Sequence, residues 1–503
     1  MTALAVELTA SRLLGNVYGS SNLVWASIIG LILIYLTAGY WLGGKFADKF
    51  PRYKYFYQIL MWGSLTVGLV PMVSRPILRI TANAFDQFQM PILAGAFVTV
   101  MILFVIPVTL LGMISPFALK LTLQNPQDVG KTAGRLSAIS TLGAFIGTFL
   151  PVLILVPLIG TYRTFLFFSS LLMIIASVGF WVYVDGKTWF RHAWMPLILV
   201  FLWLFGARGT DKATQNLIFE GESSYNYVQV IEQNEFRYLR LNEGQGMHSI
   251  YHPTRLNYFG PWSQVLVAPY FNAPPQGVKP IDSMALVGLA AGTTARQADA
   301  VFGDIRIDGF EIDPLIVEVG RKYFDMNNEN LTVYIQDGRW GLNRTEVQYD
   351  VISVDAYRPP YIPWHMTTLE FFELVHERLT EEGVMVINIG RSPLDRTLVN
   401  DMATTISQVF PTIFVMDIPD SFNTILFATK QPGSWDNFIE NYNDLLSSDV
   451  HSLLLEAMAT TITFRQPPPV WTRVYTDDLA PIEWVTNKIV YDYFLSGGLV
   501  DFQ

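Results

Sequence analysis

Three carboxylates in the second half of the chain sit where ligand-binding acids belong. Glu311 opens Glu311-Ile-Asp, Asp337 opens Asp337-Gly-Arg, and Asp355 closes Tyr349-Asp-Val-Ile-Ser-Val-Asp355. Each follows a short apolar run of strand-forming residues. In open α/β sheets, ligands bind outside the carboxyl ends of the strands, where the strand order reverses. An acid at such a place accepts hydrogen bonds from sugar hydroxyls or amino groups, or takes a proton from a nucleophile. Gly288 and Gly292, in Gly288-Leu-Ala-Ala-Gly292-Thr, let the chain turn tightly and approach a ligand. Glu311 follows Gly288 by 23 positions, close to the spacing at which an acid meets ribose hydroxyls. One strand-end acid is often merely solvated; three on successive strands point to an adenosyl ligand.

The elements that must carry these acids are legible from pattern. Strands are expected at Ser283–Gly288, Ile305–Phe310, Leu331–Ile335, Tyr349–Val354 and Val384–Ile389, with Thr412–Asp417 and Asn423–Thr429 closing the series. Helices are expected from Gly292, from Pro314 to Phe324 and over Thr367–Leu379; proline suits a first helical position. Strands alternating with helices imply a mostly parallel, doubly wound sheet of Rossmann type. Ahead of it, Tyr227–Ile231 and Tyr238–Leu241 flank a polar turn and read as a small β-hairpin.

The first 206 residues are a different object. They hold five acidic and thirteen basic residues, against 38 acidic and 20 basic in the remainder, so the front is +8 and the back −18. Apolar runs near 22–43, 55–73, 91–116, 137–158 and 163–184 are long enough to cross about 30 Å of hydrocarbon. The run at 194–206 is short for a span and is expected to be re-entrant or interfacial. The opening stretch, with Glu7 and Arg12, reads as a half-helix packed into the bundle. Ionisable groups at membrane depth are expensive and are often functional, or pair to lock a bundle. Gly143 and Gly147 are spaced for close helix approach. Basic loops at Lys45, Lys49, Arg52 and Lys54, at Lys120, Lys131 and Arg135, and at Lys187 and Arg191 fall on one side by the positive-inside rule. The chain is thus expected to be a multi-pass protein of an inner or plasma membrane, with its back domain cytoplasmic.

The division expected is a transmembrane helical domain over 1–206, a linker and hairpin region over 207–280, a Rossmann-type domain over 281–430, and an extension over 431–503 packed on it. The acidic back half argues against nucleic acid, whose phosphates call for a basic footprint. The absence of cysteine excludes disulfides, thiolate metal sites and cysteine nucleophiles.

These segments, with Ile362-Pro-Trp-His-Met-Thr-Thr-Leu-Glu-Phe-Phe, resemble the spermidine synthase (polyamine aminopropyltransferase) family over roughly residues 220–430. The closest resemblance is to the branch fused to membrane helices, which has segments like Glu7-Leu-Thr-Ala-Ser-Arg12 and Gly19-Ser-Ser. The resemblance implies decarboxylated S-adenosylmethionine as co-substrate, a small-molecule amine as acceptor, and no metal. It implies that Glu311 holds the ribose, Asp337 the adenine amino group, and Asp355 acts as general base. Gly288, Ala291, Gly292 and Gly338 would line the adenosyl side, with Asn226 where the family often has a glutamine. Tyr258, Tyr357, Arg358 and His365 would face the acceptor. A lipid bilayer is the expected surrounding, and a homo-oligomer is compatible with the pattern.

Two positions depart from the family. An aspartate of the glycine-rich loop, which pairs with the aminopropyl ammonium, is here Ala291. The second carboxylate of Asp-x-x-Asp-Pro is here Arg358, in Asp355-Ala-Tyr-Arg-Pro359. An arginine a few ångströms from a diamine would cost about 1–4 kcal/mol. Both changes favour a ligand with a negative end, so ordinary S-adenosylmethionine, used for methyl transfer or cleavage of its amino-acid arm, stands as an alternative. A ligand-binding transporter or sensor is a second one.

Overall fold

The computed structural model describes residues 1–503 except 19–21, 89–91, 124, 207–213, 243–245, 358–360 and 496–503. The chain forms two units, Met1–Thr214 and Gln215–Gln503.

In the first unit the long apolar runs wind into helices, which satisfy the backbone polar groups within each segment. Its helices are α1 (Thr2–Tyr18), α2 (Asn22–Lys49), α3 (Tyr53–Phe88), α4 (Ile92–Thr122), α5 (Val129–Leu150), α6 (Val156–Ile159), α7 (Thr161–Tyr183), α8 (Gly186–Phe190) and α9 (Trp194–Phe201). A π-helical turn at Pro151–Leu155 joins α5 to α6. Five stretches are long and apolar enough to cross a membrane: Val24–Lys49, Tyr53–Leu78, Gly95–Thr122, Val129–Ile159 and Thr161–Tyr183; Trp194–Gly206 is shorter. Their outward faces stay apolar, with Leu33, Ile102, Leu142, Ile174 and Val182 exposed. Inside, α1 buries Ala5, Ala10 and Leu14, and the Tyr18 hydroxyl meets Thr99 Oγ1 at 2.5 Å. Gly39 and Gly43 on α2 abut the backbone of Thr109, Gly112 and Met113 on α4, so a β-carbon at either would collide there. Gly147 packs on the backbone of Met1. Ser64 and Ser169 exchange hydroxyl-to-carbonyl hydrogen bonds of 2.7 and 2.6 Å between α3 and α7.

The second unit begins with a four-stranded antiparallel sheet, β1 (Leu217–Glu222), β2 (Tyr227–Gln233), β3 (Phe236–Leu241) and β4 (Ser249–Tyr251), in sequential order. The strands read as a hairpin are its central pair, turning through Asn234 and Glu235, both left-handed. Two flanking strands, too short or too irregular to read from alternation, complete it. Helix α10 (Pro261–Gln264) and a 3-10 helix at Val265–Phe271 lead to the larger sheet.

That sheet contains β5 (Ser283–Val287), β6 (Arg306–Glu311), β7 (Leu331–Ile335), β8 (Tyr349–Val354), β9 (Leu379–Gly390), β10 (Thr412–Asp417) and β11 (Asn423–Thr429). Their order is β10-β11-β9-β8-β5-β6-β7. The five strands from β9 to β7 are parallel, while β11 pairs antiparallel with both β9 and β10. The chain leaves β5 for β6 on one side and later returns to β8 on the other, which makes the β5/β8 boundary the topological switch. Helices α11 (Thr293–Phe302), α12 (Pro314–Tyr323), α13 (Gly338–Arg344), α14 (Leu369–Glu377) and α15 (Thr397–Ile406) connect the strands. Parallel strands need such crossovers and are buried on both faces. Accordingly Met284, Leu286, Val351 and Val386 belong to one core cluster, and Ala285, Val287, Ile352 and Ile387 to another. The extension adds α16 (Trp435–Leu446), α17 (Ser452–Thr463) and α18 (Ile482–Leu495). Phe438, Leu445 and Leu454 join the first cluster, while Tyr475, Ile482 and Val485 join the second.

Candidate active site

The turn after β5 is built for close approach. Gly288 and Gly292 have φ of 89° and 85°, and Ala290 has 49°, a region costly for side-chain-bearing residues. Gly288 and Leu289 both donate to the Phe310 carbonyl, at 3.0 and 3.1 Å. The turn is pressed onto the end of β8: a β-carbon at Gly288 would strike the Asp355 carbonyl, and the Asp355 amide donates to Val287 O at 2.8 Å. Gly288 and Asp355, 67 positions apart in the chain, therefore meet at the switch point.

Glu311 ends β6 and is 7% exposed. Its Oε2 accepts from Ala290 N at 2.9 Å and its Oε1 from Asp313 N at 3.0 Å, so it spans the glycine turn. Burial pushes its carboxyl up to about 7, against the pull of those backbone donors. Asp313, two positions on, is fully buried. Its Oδ1 caps α12 by accepting from Leu315 N at 3.0 Å, and its Oδ2 accepts from Ser223 Oγ at 2.6 Å and Asn226 Nδ2 at 2.9 Å. Asn226 Oδ1 in turn accepts from Asn242 Nδ2 at 2.9 Å. Both ends of the Asn226 amide are thus engaged, one fastening the smaller sheet to the larger and the other bracing the end of β3.

Asp337 follows β7 and caps α13, accepting from Trp340 N at 3.0 Å through Oδ1, while Oδ2 lies 2.9 Å from His365 Nε2. Burial works to raise its carboxyl, but the His365 and Trp340 hydrogen bonds outweigh it and hold it below the usual value. Gly338 begins α13, and a β-carbon there would strike Val287.

Asp355 stands at the end of β8, where Asn388 Nδ2 donates to its Oδ1 at 3.0 Å. Burial pushes its carboxyl up to about 6, moderated by Asn388. The other end of that amide, Asn388 Oδ1, is buried with no protein partner among the described residues. Tyr357 lies alongside: its hydroxyl donates to Asn388 O at 3.0 Å and accepts from Gly390 N at 2.9 Å. Sequence reasoning missed Asn388 and Asp313. A single polar residue inside the apolar run Val384–Ile389 was the available signal for the first, and the acid within Glu311-Ile-Asp for the second.

Tyr258 lies apart from this group. The Tyr258 hydroxyl donates to Arg255 O at 2.8 Å and accepts from His252 N and Arg296 Nη1, both at 3.2 Å. It lines an open cavity of ≈ 510 Å³ with Phe236, Tyr238 and Ile250, and none of its hydrogen-bond partners is a strand-end acid. Ala291 turns its methyl into an apolar cluster with Val228, Ile316 and Phe324, while its amide donates to Ser249 Oγ at 2.9 Å. Arg358 lies outside the described residues.

The Spermine/spermidine synthase domain family matches residues 303–436, the stretch that bears Glu311, Asp337 and Asp355. A probable polyamine aminopropyl transferase of Bifidobacterium longum is 31% identical over 293 residues, covering 53% of this chain and 62% of that protein. The polyamine aminopropyltransferase of Vibrio vulnificus is 24% identical, over 57% of this chain and 97% of its own length. An N-terminal histidine N-methyltransferase of Emericella nidulans is 32% identical over 162 residues, 30% of this chain and 28% of that protein. The family match runs over β6 to β11, and across that stretch the chain carries a domain similar to the spermidine synthase family.

Proposed function

We propose that the protein is a membrane-anchored aminopropyltransferase that moves the aminopropyl group of decarboxylated S-adenosylmethionine to an amine such as putrescine. The products are spermidine and methylthioadenosine. The observation that carries this reading is the placement of Asp355 against the Gly288 turn, with only β5 between its strand and that of Glu311, and with Asn388 on its carboxylate. In the reaction the amine lone pair attacks the aminopropyl carbon, the carbon–sulfur bond breaks and its electrons return to sulfur. Since a sulfonium leaves readily, the protein's work is alignment and removal of the ammonium proton. Asp355 takes that proton, Glu311 and Asp337 hold the adenosyl group, with His365 on the Asp337 carboxylate, and Tyr357 borders the acceptor side. Around the helical unit, five span-length helices with apolar outward faces support insertion in a bilayer, and basic residues gathered in alternate loops support a cytoplasmic α/β unit.

A second reading, use of ordinary S-adenosylmethionine, is favoured by the Gly288–Gly292 turn, which carries no charged side chain to repel the donor's carboxylate, and by the methyltransferase relative. Incubating the purified protein with each donor, with and without putrescine, separates the readings. Methylthioadenosine plus spermidine from the decarboxylated donor is the expected result. S-adenosylhomocysteine, or methylthioadenosine formed from the ordinary donor without an amine, would overturn it.

Asn388 supplies a further prediction. A hydrogen bond to the charged carboxylate lowers its pKa, so Asn388→Ala raises that of Asp355. The acidic limb of the rate–pH profile, expected near the value of about 6 held by the buried carboxyl, then moves upward by about one unit. A limb that stays in place would show that Asp355 is not the titrating base.

A further inference from the structure

Beyond the matched residues 303–436, the stretch 466–480 contains no helix and no named strand, yet its side chains and backbone are tied into the site. The Asp477 carboxylate receives both arms of the Arg339 guanidinium, Nη1 to Oδ1 and Nη2 to Oδ2, each at 2.7 Å. It also accepts from Thr368 Oγ1 at 2.7 Å. Arg339 stands two positions after Asp337 on the first turn of α13, and its Nη1 donates to the His365 carbonyl at 2.9 Å. His365 then places Nε2 2.9 Å from Asp337 Oδ2. The stretch is itself pinned: Tyr475 is fully buried, its hydroxyl donates to Asp401 Oδ2 at 2.7 Å, and its carbonyl accepts from Leu369 N at 2.9 Å. Asp477 N donates to Glu370 Oε2 at 2.9 Å.

A two-pronged guanidinium–carboxylate pair fixes geometry in a way a point charge does not. The pair is partly exposed, 23% for Arg339 and 41% for Asp477, so its direct contribution to stability is small. What it secures is placement, because Arg339 bonded to Asp477 cannot swing back to the Asp337 carboxylate beside it.

We propose that Asp477 is a positioning residue for the adenosyl end of the site, acting through Arg339 on His365 and through His365 on the carboxylate of Asp337. The assignment rests on the reading of Asp337 as the acid that meets the adenosyl group. Its consequence is selective: the donor's fit depends on Asp477, whereas amine attack at Asp355 does not.

The test uses the purified full-length protein with methylthioadenosine as binding probe, and steady-state kinetics with donor and amine varied separately. Asp477→Ala is expected to weaken methylthioadenosine binding and raise the donor KM by about tenfold, the loss of one well-formed charged hydrogen-bond pair. Both kcat at saturating donor and the amine KM stay within about twofold of wild type, and Asp477→Glu recovers most of the affinity. A folded Asp477→Ala protein that binds the probe as wild type does, or that loses kcat with donor KM unchanged, overturns the proposal. Should Asp477→Ala not fold, Arg339→Lys, which keeps the charge and loses the fork, carries the same expectation and the same refutation. Wild-type protein that binds neither methylthioadenosine nor S-adenosylhomocysteine would instead overturn the adenosyl reading itself.

Discussion

Asp355→Asn is expected to lower amine transfer by about 10²–10⁴-fold, the range over which a positioned general base acts. The amide is nearly the same size and still accepts from Asn388 Nδ2, the only hydrogen-bond donor seen on this side chain among the described residues, so the surrounding geometry survives. What disappears is a group able to accept the ammonium proton. The fold should not suffer, for a reason of sign. Burial raises the Asp355 carboxyl from 3.8 to about 6, so the folded protein binds that proton more tightly than the unfolded chain does. The resulting stabilisation is complete below about 4 and is lost as the pH rises through about 6. At pH 8 the wild type therefore carries a buried charge that the variant lacks. Asp355→Asn should melt at the same temperature as wild type or higher at that pH, while turnover falls. Retained turnover would remove Asp355 from the role of base, and a collapse in melting temperature would assign it a structural one.

Glu311→Gln is expected to weaken adenosyl binding by about 10²-fold or more, since a site that loses its partner for buried hydroxyls discriminates by large factors. Glu311 presently receives two amide donors, Ala290 N and Asp313 N, on its two oxygens. Glutamine offers one oxygen and turns an NH₂ group toward the other donor, so the Gly288–Gly292 turn must shift as well. The same substitution has a signature in stability. Burial raises the Glu311 carboxyl from 4.5 to about 7, and the folded state again holds its proton more tightly. Wild-type stability from this group is intact below about 4.5 and declines toward 7, by about 3 kcal/mol across the window. In Glu311→Gln that part of the slope vanishes. Equilibrium binding of methylthioadenosine and denaturant unfolding at pH 5 and 8 measure the two effects. A variant with wild-type affinity and an unchanged slope would sink both.

Much of this arrangement was legible in the order of residues. A strand end is marked by where an apolar run stops, and Glu311, Asp337 and Asp355 stand at or just past the ends of β6, β7 and β8. Pro314 and the apolar spacing after it announced α12, and the long uncharged runs before residue 185 announced helices of span length. These features are local: composition and period are enough, because each element obtains its backbone hydrogen bonds within itself or from neighbours of the same pattern.

Pairings across the chain were not legible, since nothing local distinguishes a polar side chain that will meet a distant partner from one that will meet water. The family resemblance puts Asn226 near the co-substrate, and in the fold both ends of its amide are taken by Asp313 and Asn242. The resemblance sets His365 toward the acceptor, and its ring nitrogen contacts Asp337. Asn388 and Asp477 lie 33 and 140 positions beyond Asp355 and Asp337. Only the return of β9 beside β8, and the seating of Tyr475 in the core, bring them within hydrogen-bond reach. The kind of chemistry was thus written in residue types at strand ends. Which groups tune each acid was decided by tertiary packing, because burial and hydrogen-bond partners, the terms that set a carboxylate's behaviour, exist only once distant segments close around it.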